Sequence, residues 1–105
     1  MSLKILRREG RSIPVACCDV CGSWIDDAGL GAAVFATPDE DEPQTVSFTH
    51  KGACHDKHEQ ALRAAGKTVG WWELSRYLAA VAHNSGVTVE VIQQQDERDR
   101  DIGGL

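Results

Sequence analysis

Three of the four cysteines in this chain lie within five consecutive positions, at Cys17, Cys18 and Cys21, and the fourth, Cys54, follows 33 residues after Cys21. Grouped thiols form disulfides in an oxidising compartment, whereas in a reducing one they bind metal or carry out redox chemistry. The first ten residues lack the apolar stretch of a secretory signal, so we expect a cytoplasmic protein with reduced thiols. A chain of 105 residues builds only a small core, and a bound metal ion would add to its stability.

Cys18 and Cys21, with the glycine that follows, form the sequence C-x2-C-G. Two thiolates separated by two residues can hold one tetrahedral ion when the chain between them turns tightly, and a glycine permits the left-handed backbone that such a turn requires. Cys17 differs, because strand alternation places it on one face with Ile13 and Val15. We therefore predict that Cys17 is a small buried hydrophobe and that the other two cysteines are zinc ligands.

The remaining ligands are predicted where a strand gives way to a helix, in a segment that contains Cys54 and three histidines. The favoured pair is His50 with Cys54, because His50 directly follows the strand and the next two residues can form a turn. The alternative is Cys54 with His58, which would lie four residues apart on one helix face. His55 points about 100° away from Cys54 on the same helix and is the weakest candidate. The predicted Zn²⁺ ligands are Cys18, Cys21, His50 and Cys54, with His58 as the alternative to His50.

The chain order of a cysteine knuckle, a hairpin and then ligands at the start of a helix resembles the treble-clef group of zinc fingers. The resemblance covers residues 16–62. The stretch from His50 to Cys54 is similar to the second half of several such fingers, LIM-like ones among them, with three intervening residues rather than two. The resemblance implies that the first ligand pair sits on the knuckle and the second at the helix start. A Cys3His set without an open position implies a structural zinc ion rather than a catalytic one.

Apolar periodicity predicts an α+β fold, in which a small antiparallel sheet with the zinc knuckle precedes two helices and a short C-terminal strand. Alternation of Val87, Val89 and Val91 predicts the last strand. An apolar stripe at helical spacing predicts the second helix and its buried face, and it consists of Trp71, Leu74, Leu78, Val81 and Ala82. The predicted elements are strands at residues 3–8, 13–17, 32–36 and 45–49, helices at about 54–65 and 71–84, and a strand over 87–91. We expect residues 1–95 to form a single zinc-stabilised domain and residues 96–105 to form a flexible acidic tail.

Charge argues against nucleic acid as the main partner. The net charge is −5, carried by an acidic run at residues 39–42, expected in an exposed, mobile loop, and by the tail. Four basic residues near the start are too few for a nucleic-acid footprint, and no apolar run approaches the roughly 20 residues that span a bilayer. We predict a non-enzymatic zinc-binding domain with a protein-interaction or regulatory role, an unidentified protein partner and no membrane contact. The alternatives are a nucleic-acid-binding zinc-finger regulator and a treble-clef hydrolase or nuclease.

Overall fold

The computed structural model describes residues 2–37 and 43–101, with side chains as far as residue 97. The acidic run at residues 39–42 lies outside the described residues. The elements in chain order are β1 (Leu3–Arg8), β2 (Arg11–Ala16), a short 3-10 helix (Ala28–Leu30), β3 (Gly31–Ala36), β4 (Val46–His50), α1 (Ala53–Ala64), β5 (Val69–Glu73), α2 (Leu74–Asn84) and α3 (Val89–Asp101). This arrangement confirms the predicted α+β class.

The strands form two antiparallel sheets, a two-stranded β1–β2 hairpin and a three-stranded sheet in the order β4-β3-β5. The hairpin confirms the first predicted strand pair. Glu9 and Gly10 both have positive φ, 52° and 77°, which is the backbone that a tight two-residue turn between twisted strands requires. β3 and β4 confirm the second predicted pair, with Ala33 opposite Phe48.

The core lies between the three-stranded sheet, α2 and the loop that follows the hairpin. Ala33 of β3 and Phe48 of β4 are buried there with Leu74, which begins α2, and with Ile25 from the loop. Gly31 allows this close approach, because a Cβ atom at that position would lie 2.6 Å from a methyl group of Leu74. The packing therefore holds the start of β3, next to the end of β4, firmly against α2.

The second helix begins three residues later than the sequence predicts. Trp71 and Trp72 belong to β5, where they pair with Val34 and Ala33 of β3, and the helix starts at Leu74. Aromatic residues favour strands, and pairing with a fully buried central strand outweighs the helical spacing of the stripe. Trp71 was predicted to be part of the core stripe, whereas in the structure it is substantially exposed.

The predicted C-terminal strand is wrong, because residues 89–101 form α3. The Thr88 hydroxyl accepts a hydrogen bond from the Val91 N–H, as a helix N-cap does, and the glutamine-rich sequence that follows favours a helix. The helix includes residues 96–101, which the sequence places in the tail, while 102–105 lie outside the described residues. Across the described ranges, no helix combines the length and apolar character needed to cross a membrane.

Candidate metal centre

The cysteine knuckle forms directly after β2. The Gly22 N–H donates to the Cys18 carbonyl at 2.8 Å, and Gly22 has a φ of 79°, as the sequence predicts for this turn. Within the turn, the N–H groups of Val20 and Cys21 point at the Cys18 sulfur, at 3.4 and 3.5 Å. Two backbone donors aimed at one sulfur stabilise its thiolate form, which is the form that binds metal.

The second pair of candidate ligands comes from the junction of β4 and α1. His50 is the last residue of β4, and Cys54 lies in the first turn of α1. The two residues between the strand and the helix make the connection, with Gly52 at a φ of 88° and the Lys51 N–H bonded to the Leu30 carbonyl at 2.9 Å. The chain therefore turns back immediately after His50, and this turn brings Cys54 next to the knuckle.

The fold brings together the four residues that the sequence favours. One ligand atom from each of Cys18, Cys21, His50 and Cys54 lies within 4.8 Å of the other three. The Cys21 sulfur is 3.4 Å from Nδ1 of His50. Tetrahedral zinc with Zn–S about 2.3 Å and Zn–N about 2.0 Å places sulfurs about 3.8 Å apart and sulfur and nitrogen about 3.5 Å apart. The geometry fits a Cys3His metal site.

The three thiols of this group differ in how readily they ionise. Burial opposes ionisation of Cys18, but backbone N–H donors outweigh it and lower the pKa of that thiol. The Ser23 N–H lowers the pKa of Cys21 in the same way. Burial, together with hydrogen bonding and charge from the other two sulfurs, raises the pKa of Cys54 to about 11. Three thiolates can share one site only when a cation neutralises them, which makes this a donor set suited to a dication.

The other cysteine and two other histidines lie elsewhere. Cys17 is buried, as strand alternation predicts, and is not one of the four residues of the cluster. His58, the alternative ligand, also lies outside the cluster. His55 is buried, and its ring makes a T-shaped contact with Trp71 at a centroid separation of 5.0 Å. Glu59 Oε2 is 3.1 Å from His55 Nε2, but without hydrogen-bond geometry.

One residue that supports the site was not predicted from the sequence. Asp19, inside the knuckle, accepts a hydrogen bond from the Phe48 N–H at 2.8 Å, and its own N–H donates to the Phe48 carbonyl at 2.7 Å. Its carboxylate also accepts from the Ser2 hydroxyl. These bonds fasten the knuckle to β4 two residues before His50. The only sequence signal for this role is an aspartate between two candidate ligand cysteines, which is too common to interpret.

Replacing Asp19 with alanine is expected to destabilise the protein by about 1–3 kcal/mol, because the buried Phe48 N–H loses its acceptor. Burial opposes ionisation of Asp19, but the bonds from Ser2 and Phe48 outweigh it and lower the pKa of the carboxyl below its usual value of 3.8. The stabilisation is therefore present above pH 3.8 and disappears as the pH falls through the lower, folded-state pKa. Urea denaturation of D19A and the parent protein at neutral pH measures the loss, and D19N, which keeps one acceptor oxygen, should lose less. Equal stability of D19A and the parent would contradict this role.

Comparison with known proteins adds nothing to this picture. The chain matches no protein-family model, no curated protein and no solved structure. The chemistry of the site therefore rests on its own residues, a Cys3His cluster formed by a knuckle, a strand end and a helix start.

Proposed function

We propose that this protein is a non-enzymatic zinc-binding domain of the treble-clef type, in which Cys18, Cys21, His50 and Cys54 hold one structural Zn²⁺. The observation that carries the proposal is the mutual approach of the four ligand atoms within 4.8 Å. These donors come from three separate segments of the chain, which are the knuckle, the end of β4 and the start of α1. The sequence predicts ligands in the same three segments.

The donor set favours zinc over other common metals. Thiolate and imidazole ligands suit Zn²⁺, whereas Mg²⁺ and Ca²⁺ take oxygen ligands. Four protein ligands fill a tetrahedral site, so no coordination position is left for a substrate or an activated water. A bound ion would link the end of the hairpin to the end of β4 and the start of α1, and its binding free energy would add to the free energy of folding.

A protein-interaction role for the domain is supported by its surface. Trp71 and Trp72 are adjacent on β5, and more than two fifths of each side chain is exposed. The guanidinium of Arg76 lies 5.5 Å from the centre of a Trp72 ring. Tryptophan and arginine are enriched among the residues that dominate binding energy at protein interfaces, so this surface suits a protein partner.

The zinc content of the protein tests the metal proposal. Protein purified without chelator is expected to carry one zinc ion per chain, measured by inductively coupled plasma mass spectrometry. Substitution by Co²⁺ should give the visible absorption of tetrahedral cobalt together with sulfur-to-cobalt charge transfer. A zinc content below about 0.3 per chain, with no such spectrum on adding cobalt, would contradict the proposal, because a site of this kind holds one ion.

Paired histidine variants test the ligand assignment. H50A is expected to weaken zinc binding by more than about tenfold, because even losing a residue that only orients a ligand costs 10–100-fold. H58A is the matched control and should bind zinc like the parent. Competition with a chromophoric chelator measures both affinities. Weakening by H58A but not by H50A would transfer the ligand role to His58.

A further inference from the structure

One face of the β1–β2 hairpin is apolar and open to solvent. Register places Leu3, Ile5, Pro14 and Ala16 together on this face, because residues opposite each other in an antiparallel pair share a side. Leu3 and Ile5 are 63% and 67% exposed. With Leu78 of α2 they line a groove of about 380 Å³. Apolar groups on both strands of an exposed ribbon are unusual unless another surface covers them.

α3 carries a second uncovered apolar surface. Val89 and Ile92 are 67% and 55% exposed, and Val91 beside them is also exposed. Val89, Ile92 and Asp96 follow one another at spacings of three and four, so they lie along one side of the helix. None of the described strands and helices packs extensively against α3. The helix therefore presents an apolar stripe at its start, followed on the same side by Asp96.

The hairpin and α3 carry opposite net charges, and they match in length. The hairpin contains four basic residues and one acidic residue, a net charge of +3, and α3 contains five acidic and two basic residues, a net charge of −3. Six residues of β1 and thirteen residues of α3 both span about 20 Å. Attraction between opposite net charges favours association of the hairpin with α3 over contact between two copies of either element, and Arg7 lies on the same face of the hairpin as Leu3 and Ile5.

The order of groups along each surface also matches. β1 runs from apolar Leu3 and Ile5 to Arg7 on the same face, and α3 runs from Val89 and Ile92 to Asp96. When the helix lies parallel to β1, apolar groups meet apolar groups and the aspartate meets the arginine. The antiparallel alignment would place a carboxylate over the leucine, at a desolvation cost that nothing offsets.

We propose that the protein forms a symmetric dimer in which α3 of each copy packs, parallel to β1, onto the hairpin groove of the other copy. A two-fold axis makes two identical contacts of this kind and leaves neither apolar surface uncovered. The dimer goes beyond the structural role of the metal, because neither surface contains a zinc ligand. Its test is done on zinc-loaded protein, so a failure here is distinguishable from a failure to bind metal.

Analytical ultracentrifugation of the full chain tests self-association. The parent is expected to sediment with twice its 11.4 kDa chain mass. I5E and I92E should each raise the dissociation constant at least about tenfold, because every dimer loses two apolar contacts and gains two desolvated carboxylates. L30E is the matched control, since Leu30 is 59% exposed but belongs to neither surface, and this variant should dimerise like the parent.

Isotope-mixed cross-linking tests which surfaces meet and in which orientation. R7K provides an amine on the same face of the hairpin as Leu3 and Ile5, and a carbodiimide can join this amine to a nearby carboxylate as an amide. In an equimolar mixture of ¹⁴N- and ¹⁵N-labelled R7K protein, we expect cross-linked peptide pairs that join position 7 to Asp96. In half of these pairs, one peptide should carry ¹⁴N and the other ¹⁵N. The ¹⁵N label serves only to show which copy of the chain each peptide came from.

Three results would overturn the proposal. The first is a parent chain that stays monomeric at about 100 μM, a concentration at which a dimer with a dissociation constant of about 1 μM would be mostly formed. The second is a dimer lost in I92E but retained in I5E, which would mean that α3 pairs with another α3. The third is cross-linked peptides that carry one label only, which would mean that α3 folds back onto the hairpin of its own chain.

Discussion

The C21S variant is expected to melt at least about 12 °C below the parent protein, although Cys21 is exposed. Exposed substitutions ordinarily change stability by no more than about 0.5 kcal/mol. Loss of one ligand from a structural zinc site is different, because metal binding contributes about 10–16 kcal/mol in small zinc-dependent folds. A loss of only about 3 kcal/mol of this would already lower the melting temperature by 12–24 °C, at roughly 4–8 °C per kcal/mol. Differential scanning calorimetry with and without added zinc measures the effect.

C17S is the control for this experiment. Cys17 is buried and lies outside the metal cluster, so the hydroxyl should cost about 1–3 kcal/mol through burial while the protein keeps one zinc ion per chain. C21S should instead lose both zinc and its zinc-dependent stability. A C21S protein that melts within about 2 °C of the parent would show that the cluster does not support the fold through a metal.

The L74A variant is expected to lose about 2–5 kcal/mol of unfolding free energy while retaining its zinc affinity. Leu74 is 1% exposed and belongs to the core cluster with Ile25, Ala33 and Phe48. Its truncation leaves a cavity next to Gly31, where the missing Cβ atom lets the Leu74 side chain approach β3. Chemical denaturation in excess zinc measures the loss.

V81A on the same helix is the matched control. Val81 is 43% exposed, so its truncation should cost less than about 1 kcal/mol. Similar losses in the two variants would contradict the assignment of Leu74 to the core and would favour the continuous stripe that the sequence predicts for this helix. A fall in zinc affinity in L74A would show instead that packing at the start of α2 also positions the ligands.

Local patterns predicted the parts of the protein that depend on neighbours in sequence. The tight turn at Glu9–Gly10 and the glycine after Cys21 each need backbone that few residues adopt, so those residues reveal the turn. Alternation along β2 separated Cys17 from Cys18, and the structure buries Cys17 outside the metal cluster. These inferences hold because a short strand or turn is specified within about five residues.

Predictions that depended on distant partners were less successful. Trp71 fits a helical stripe as well as a strand, and only its pairing with Val34 of β3 assigns it to β5. Val87, Val89 and Val91 alternate like a strand, but no described strand lies beside them, and the Thr88 cap begins a helix instead. A short apolar run does not by itself distinguish a strand from a helix. Whether a neighbouring strand is available for pairing therefore decides between the two.

By itself, the sequence determined the donor types, their grouping into two pairs and the turns that present each pair. Only the tertiary structure decided that the pairs meet, because this depends on Asp19 joining the knuckle to β4 and on the turn after His50, where the Lys51 N–H bonds to the Leu30 carbonyl. It also decided between His50 and His58 as the neighbour of Cys21. The physical reason is that ligand chemistry is a property of single residues, whereas a distance of 3.4 Å between atoms 29 residues apart is a property of the packed chain.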